Sequence, residues 1–393
     1  MQRGLAGCAS RATVGAGTAV RGVAGGGFGG RAGAVWALGA LLAVALVLGP
    51  GTVRAGDEAQ RVGWPSSGVV AGSNPAFVPV QASALPKPSA AAGDLTRFNN
   101  SIVRIEAKVP SEATTAQSLG SERVGTGIIL DDRTVLTIGY LTLEADDVMV
   151  VTGSGKRIPG SVAGYDHASG FGLVRSVLPL DGRPMPLGDS DAVREKQRVL
   201  TLGQGEPEAT EIYVLSRKPF AAGWEYLLES PIFTFPPVNN WSGAALIGLD
   251  GRLIAVGSLI VNDAATQQAN VPGNLWVPVN LLKPIMADLL SKGRREGGNP
   301  WLGVTTEAVR GNLMVVRVAR DGPAEAAGVA AGDIVLSVNG ERVIDQAEFY
   351  RKVWKVGPAG ATIPVRVLKG GDVRDLSIKS IDRADFLRKS TGI

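Results

Sequence analysis

From about Asp94 onward, apolar and polar positions alternate in short runs broken by turn residues. "SIVRIEAKV" at 101–109, "GTGIILDD" at 125–132, "TVLTIGYLT" at 134–142, "DDVMVVTG" at 146–153, "KRIPGSVAGYD" at 156–166 and "FGLVRSV" at 171–177 follow one another, and similar runs continue to "LWVPV" at 275–279. A period of two over runs this short predicts half-buried strands, and their regular spacing predicts an all-β barrel or sandwich. One apolar segment breaks the pattern. "NLLKPIMADLLSK" at 280–292 predicts a helix, with Asn280 as its cap and Pro284 near the first turn, where proline costs least. The charged, glycine-rich "GRREGGNP" at 293–300 closes this unit, and a second one starts at Trp301. Within it, "DQAEFYRKVWKV" at 345–356 predicts an amphipathic helix with Phe349, Val353 and Val356 on one side.

The first 55 residues have a different pattern. They carry Arg3, Arg11, Arg21, Arg31 and Arg54, no acidic residue, and the apolar run "AVWALGALLAVALVLG" at 34–49. A basic segment, an apolar block of this length and small residues at Val53 and Ala55 predict a secretory signal peptide over 1–55, and hence an exported, periplasmic protein. An uncleaved anchor in the inner membrane is the alternative, because the run is just long enough to span a bilayer. An organellar transit peptide fits less well, since such peptides lack the apolar block. Residues 56–94 are rich in Gly, Pro, Ser and Ala and predict a flexible linker.

With 393 residues, the chain exceeds what one hydrophobic core holds, which predicts two folded units. "LAGC" at 5–8 stands before the apolar run rather than after it, so acylation of Cys8 is not expected. Cleavage removes this single cysteine, and the remaining chain then forms no disulfide. It also removes five arginines, taking the formal charge from +4 to about −1, which argues against nucleic acid as a partner. One histidine and one cysteine make no metal-ligand cluster, and "GGGFGG" at 25–30 lies in the leader rather than between a strand and a helix. No metal or cofactor is expected.

Five motifs in order, "LTIGYLT", "DHASGFGLVR", "NWSGAAL", "LDGRLIAVGS" and "LWVPVNLLKPI", together resemble the HtrA-like serine proteases of trypsin fold, which carry a C-terminal PDZ domain. The resemblance runs from about residue 95 to 385 and implies a mainly β architecture: a trypsin-like double β-barrel over 95–292 and an α+β PDZ domain over 297–385. It puts Tyr140 where the family's general-base histidine would stand, Gly170 where the orienting aspartate would stand, and Ser242 at the nucleophile. Asn240 takes the place of the oxyanion-hole glycine, Trp241 that of a small asparagine, and Ala244 and Ala245 those of glycine and proline. A phenol with its ordinary pKa near 10 keeps its proton at neutral pH and cannot activate a serine. The lone histidine, His167, falls at the family's proline position and is expected to be a solvated turn residue, with Asp166 stabilising the turn. No lysine stands at a spacing that recommends a serine–lysine dyad.

"WLGV" at 301–304 and "DGPAEAAGVAAGDIVLSVNG" at 321–340 resemble a bacterial PDZ domain, in which Pro323 starts a short helix, Gly328 ends it, Asp333 opens a strand and Asn339-Gly340 turns it back. The resemblance implies that an extended peptide adds to an open sheet edge and that the backbone N–H groups of the loop formed by Trp301, Leu302, Gly303 and Val304 receive its terminal carboxylate. Phe349 and Val353 of the helix are the further candidates for peptide contact. The bland alternative is that Leu302 and Val304 only fill the core while the barrel domain occupies the groove. The implied function is a non-catalytic adaptor, chaperone or regulator that binds unfolded or hydrophobic C-terminal peptides, as a homotrimer or in mixed trimers with active relatives. The alternative is an active endopeptidase of protein quality control, using Ser242 with a non-standard base.

Overall fold

The computed structural model describes residues 95–387, apart from 267 and 269. The expected leader at 1–55, with Cys8, and the expected linker at 56–94 lie outside the described residues. Six strands, β1 (Ile102–Lys108), β2 (Glu122–Ile129), β3 (Thr134–Ile138), β4 (Asp147–Val151), β5 (Arg157–Tyr165) and β6 (Phe171–Ser176), close a first antiparallel barrel in the order β1-β2-β3-β6-β5-β4, with a short helix α1 (Ala116–Leu119) between β1 and β2. A second barrel is built from β7 (Arg198–Leu202), β8 (Thr210–Ser216), β11 (Ile232–Phe235), β12 (Ala245–Ile247), β13 (Leu253–Val261) and β14 (Gly273–Pro278). Closure leaves neither barrel with an open edge. Between β8 and β11 a hairpin of β9 (Phe220–Ala222) and β10 (Tyr226–Leu228) forms a separate two-stranded sheet.

The predicted helix is shorter and later than its sequence pattern implies. Residues Val279–Leu281 form a 3₁₀ turn and the α-helix α2 covers only Met286–Lys292. Pro284 has no N–H to continue the ladder, so the chain starts again after it. Asn280 does not cap this helix; its amide donates to Asp189 at 2.7 Å.

The C-terminal unit carries a sheet in the order β15-β16-β17-β19-β20, from β15 (Val304–Val309), β16 (Asn312–Val318), β17 (Ile334–Val338), β19 (Thr362–Lys369) and β20 (Asp372–Lys379), with β18 (Glu341–Arg342) paired to β17. Helix α3 (Pro323–Ala326) starts on Pro323, and Gly328 turns the chain after it at φ +87°. Asn339 and Gly340 both take positive φ, 48° and 81°, as a two-residue hairpin turn of primed type requires. Helix α4 (Gln346–Val356) is capped by Asp345, whose carboxylate accepts the N–H of Glu348. It buries Phe349, Tyr350 and Val353, and a last helix α5 (Arg383–Phe386) follows β20.

Candidate active site and peptide groove

Strand pairing assembles the first site. β3 and β6 pair with Ile138 opposite Phe171, so the residues just beyond each strand end side by side, and the Gly139 N–H donates to the Gly170 carbonyl at 2.7 Å. The turn before β12 supplies Ser242, and the Thr126 N–H of β2 donates to its carbonyl at 2.8 Å, tying the two barrels together at the serine. Tyr140 and Ser242 are thereby brought together from 102 residues apart, with phenol Oη 2.9 Å from Ser242 Oγ and 3.0 Å from the Ser258 carbonyl. A carbonyl can only accept. Whether the phenol gives its proton to Ser258 or to Ser242, it starts with that proton and has no basic site to take one from the serine. Burial pushes its pKa further above the ordinary value of 10, the hydrogen bond with Ser242 opposing only part of that.

At Gly170 no carboxylate stands, and the local geometry is closed to one. The residue has φ +82°, and a Cβ there would lie 3.0 Å from the Tyr226 hydroxyl. That hydroxyl donates to the Ser169 carbonyl at 2.8 Å, so the place of an orienting acid is filled by a phenol with a partner of its own. Close approaches also shape the serine turn. A Cβ on Gly243 would come within 2.1 Å of the Thr126 carbonyl, and one on Gly257 within 1.9 Å of the Trp241 carbonyl. Asn240 is not among the non-glycine residues with positive φ, and its side-chain amide reaches Glu206 at 3.4 Å.

His167 is not the solvated turn residue expected from the sequence. Its Nε2 is 3.0 Å from the Glu225 carbonyl and its Nδ1 3.0 Å from the Tyr165 hydroxyl, while Arg383 Nη1 lies 2.9 Å from each ring nitrogen. Because the carbonyl can only accept, the proton of the neutral ring sits on Nε2 and Nδ1 accepts. Desolvation first, then the Arg383 charge, pushes its pKa well below 6.5. Neither nitrogen bonds Ser242. Asp166 does hold its turn, accepting from the Ser169 N–H at 2.9 Å and hydroxyl at 2.5 Å, and it adds an ion pair with Arg295 at 2.9 Å. Between Tyr140, His167, Tyr226 and Arg383 lies a cavity of about 40 Å³, room for water but not for a substrate side chain.

The loop at 301–304 has an occupant. Leu302 N–H donates to Glu225 Oε2 at 2.9 Å, and the Gly303 and Val304 N–H groups donate to Oε1 at 2.7 and 2.9 Å. Glu225, at the tip of the β9–β10 hairpin, is buried and holds φ 60°, a left-handed conformation costing a non-glycine residue about 1–3 kcal/mol unless its surroundings enforce it. Its carboxyl is pushed up to about 7, by burial against the three N–H bonds and the nearby Arg383 charge. Gly303 turns at φ +83° and Trp301 packs on Phe386 with ring centroids 4.6 Å apart. Leu302 and Val304 join Phe349 and Val353 in the core of this unit. From helix α4, Tyr350 meets the hairpin, its hydroxyl donating to the Ala222 carbonyl at 2.7 Å, while the Gln346 amide donates to the Thr306 carbonyl of β15 at 3.0 Å. Glu225, Tyr350, Gln346 and Arg383 escaped the sequence reading. The acidic residue amid apolar neighbours in "AAGWEYLL" at 221–228 was the one available signal.

Among the described residues, no group of three or more His, Cys, Asp or Glu could hold a metal ion, and no helix is long and apolar enough to cross a membrane. Residues 125–256 match the trypsin-like peptidase domain and residues 300–380 the PDZ domain. Two relatives called probable periplasmic serine endoprotease DegP-like, from Pseudomonas putida and Halomonas elongata, are 25% identical over 67% and 70% of this chain. The chain spans 56% and 60% of those relatives' own lengths. A serine protease HtrA-like of Staphylococcus epidermidis is 20% identical over 71% of this chain and 53% of its own length. Among solved structures, an HtrA-type protease AlgW with decapeptide is 20% identical, at a TM-score of 0.49, over 75% of this chain and 98% of that one. With two closed six-stranded barrels, a match to the trypsin-like peptidase domain over 125–256 and a match to the PDZ domain over 300–380, the chain is similar to the HtrA-like serine proteases of trypsin fold.

Proposed function

We propose that this protein is a non-catalytic HtrA-like pseudoprotease, exported to the periplasm, that works as a peptide-binding adaptor, chaperone or regulator through its PDZ domain. The observation that carries the proposal is the Tyr140 phenol, 2.9 Å from Ser242 Oγ at the place of a general base. Losing the base costs on the order of a millionfold in turnover in a well-studied serine protease. Here the phenol keeps its proton and Gly170 offers no carboxylate behind it. The carboxylate loop, by contrast, keeps three convergent N–H donors, the feature that receives a peptide C-terminus in this kind of domain. The functional units are 95–292 and 297–385, and export is supported by the periplasmic names of the relatives. Their names as endoproteases favour a second reading, an active enzyme using Ser242 with another base. Assembly as a homotrimer, or with active relatives, is proposed on the family resemblance.

Treatment of the purified protein and its Ser242→Ala variant with a fluorophosphonate probe and with unfolded casein separates the two readings. Neither protein is expected to be labelled or to cleave. Labelling and cleavage that vanish with Ser242→Ala would overturn the proposal.

A further inference from the structure

The β9–β10 hairpin meets the PDZ groove as a peptide ligand would. Three features of ligand recognition coincide on it: a carboxylate, a main-chain pairing and an apolar side chain. The Glu225 carboxylate takes all three loop N–H groups. The Thr306 N–H of β15 donates to the Gly223 carbonyl at 3.0 Å, a strand-edge bond of the kind an added peptide makes. Leu227 is buried in the PDZ core cluster beside Leu302, Val304 and Tyr350. The approach is so close that a Cβ on Gly223 would stand 2.5 Å from the Thr306 carbonyl oxygen.

We infer that Glu225 is a built-in ligand of the PDZ carboxylate loop, standing in for a peptide C-terminus and competing with free C-terminal carboxylates for it. The inference rests on the peptide-binding reading above. Period-two alternation divides the hairpin between two surfaces: Phe220, Tyr226 and Leu228 pack with the barrel-side core, while Ala221 and Leu227 face the PDZ domain. The hairpin is therefore anchored to the barrels, and a free peptide enters when the PDZ domain parts from it. A two-stranded hairpin is marginal alone, and docking on both sides holds this one in place. The left-handed backbone at Glu225 presents its carboxylate to the loop while its carbonyl meets His167 Nε2 on the barrel side.

The test uses the full chain, as wild type, Glu225→Gln and Gly223→Val. The glutamine replaces one acceptor by a donor facing N–H groups; the valine keeps the carboxylate but collides with Thr306. The probe is a fluorescein-labelled decapeptide pool ending in Leu, Val, Ile or Phe with a free carboxylate, alongside the same pool amidated. Amide exchange of Leu302–Val304 is read in parallel. If the open form of the wild type is a minor population of one part in ten or fewer, both variants bind the free-acid pool about tenfold or more tightly than wild type, and neither binds the amidated pool. Exchange at Leu302–Val304 quickens in both, while the barrel strands keep their protection. Wild type and both variants binding the free-acid pool equally would overturn the competition and leave the peptide-binding reading standing. Faster exchange with no binding by any of the three would overturn both. Unchanged exchange in both variants would show that Glu225 does not hold the loop. Should one variant fail to fold, the other decides.

Discussion

The serine cleft and the carboxylate loop are both filled from within, but in different ways. In the cleft the reactive chemistry has been replaced: a phenol stands at the base position, and Tyr226 fills the space beside Gly170. In the groove the binding chemistry is intact, with three N–H donors aligned on a carboxylate that happens to belong to the same chain. Replacement cannot be reversed by moving parts, whereas occupancy can. On the proposed reading, substitution has removed one function of this scaffold and an internal competitor restrains another.

The sharpest way to break this comparison is to try to rebuild the cleft. Tyr140→His with Gly170→Asp is expected to stay at background in casein cleavage. The aspartate would have to adopt φ +82° and meet the Tyr226 hydroxyl, and an unoriented histidine alone leaves turnover about 10⁴ short. Cleavage approaching that of an intact relative would show that the site is dormant rather than lost.

Matched glycine substitutions give the next effect. Gly257→Ala puts a Cβ 1.9 Å from the Trp241 carbonyl inside a closed barrel, where overpacking costs about 1–3 kcal/mol of global stability. Gly223→Ala meets Thr306 at 2.5 Å between two units that can part. It should open the Leu302–Val304 amides to exchange with a smaller loss of denaturant midpoint. Equal global losses would mean that the groove is as permanent as the cleft wall.

A smaller, opposed pair lies in the pH dependence. Glu225 has its carboxyl raised from 4.5 to about 7, so the folded state holds more protons than the unfolded state in that window and stability falls as pH rises from 4.5 to 7. His167 is pushed well below 6.5, so the folded state holds fewer protons and stability is lost as pH falls below 6.5. The titratable groups facing the pair are Arg383, Tyr165, Tyr226 and Tyr350, and burial keeps the three phenols neutral across this range. Denaturant midpoints across this range should therefore slope upward with pH in Glu225→Gln and downward in His167→Gln. Parallel slopes in the two variants would contradict this assignment.

The smallest effect belongs to the exposed rim. Arg351 pairs with Glu229 through two bonds of 2.8 and 2.7 Å across the same contact, with both side chains largely in solvent. Arg351→Ala is expected to change stability by about 0.2–1 kcal/mol, and less in high salt, without altering peptide binding. A larger loss would move the strength of the closure from Glu225 to the rim.

Local pattern made much of this architecture legible in advance. Period-two runs gave the strands, Pro323 and Gly328 bounded the short helix, and Asn339-Gly340 marked its hairpin, because backbone preference and solvent exposure act over a few residues. The resemblance also put Tyr140 and Ser242 in one site, and they lie 2.9 Å apart. The helix after β14 starts later than its pattern predicts, because periodicity does not register that Pro284 interrupts the hydrogen-bond ladder. His167 departs further from its local pattern, since its neighbours Glu225 and Arg383 are 58 and 216 residues away.

By itself, then, the sequence determined which backbone units form and which residues stand at the positions the resemblance assigns to catalysis, as both depend on residue identity and near neighbours. Tertiary structure alone decided what fills the peptide groove. The carboxylate of Glu225 finds the N–H groups of Leu302, Gly303 and Val304 across 77–79 residues, and such a contact depends on how two folded units meet, which no short-range pattern encodes.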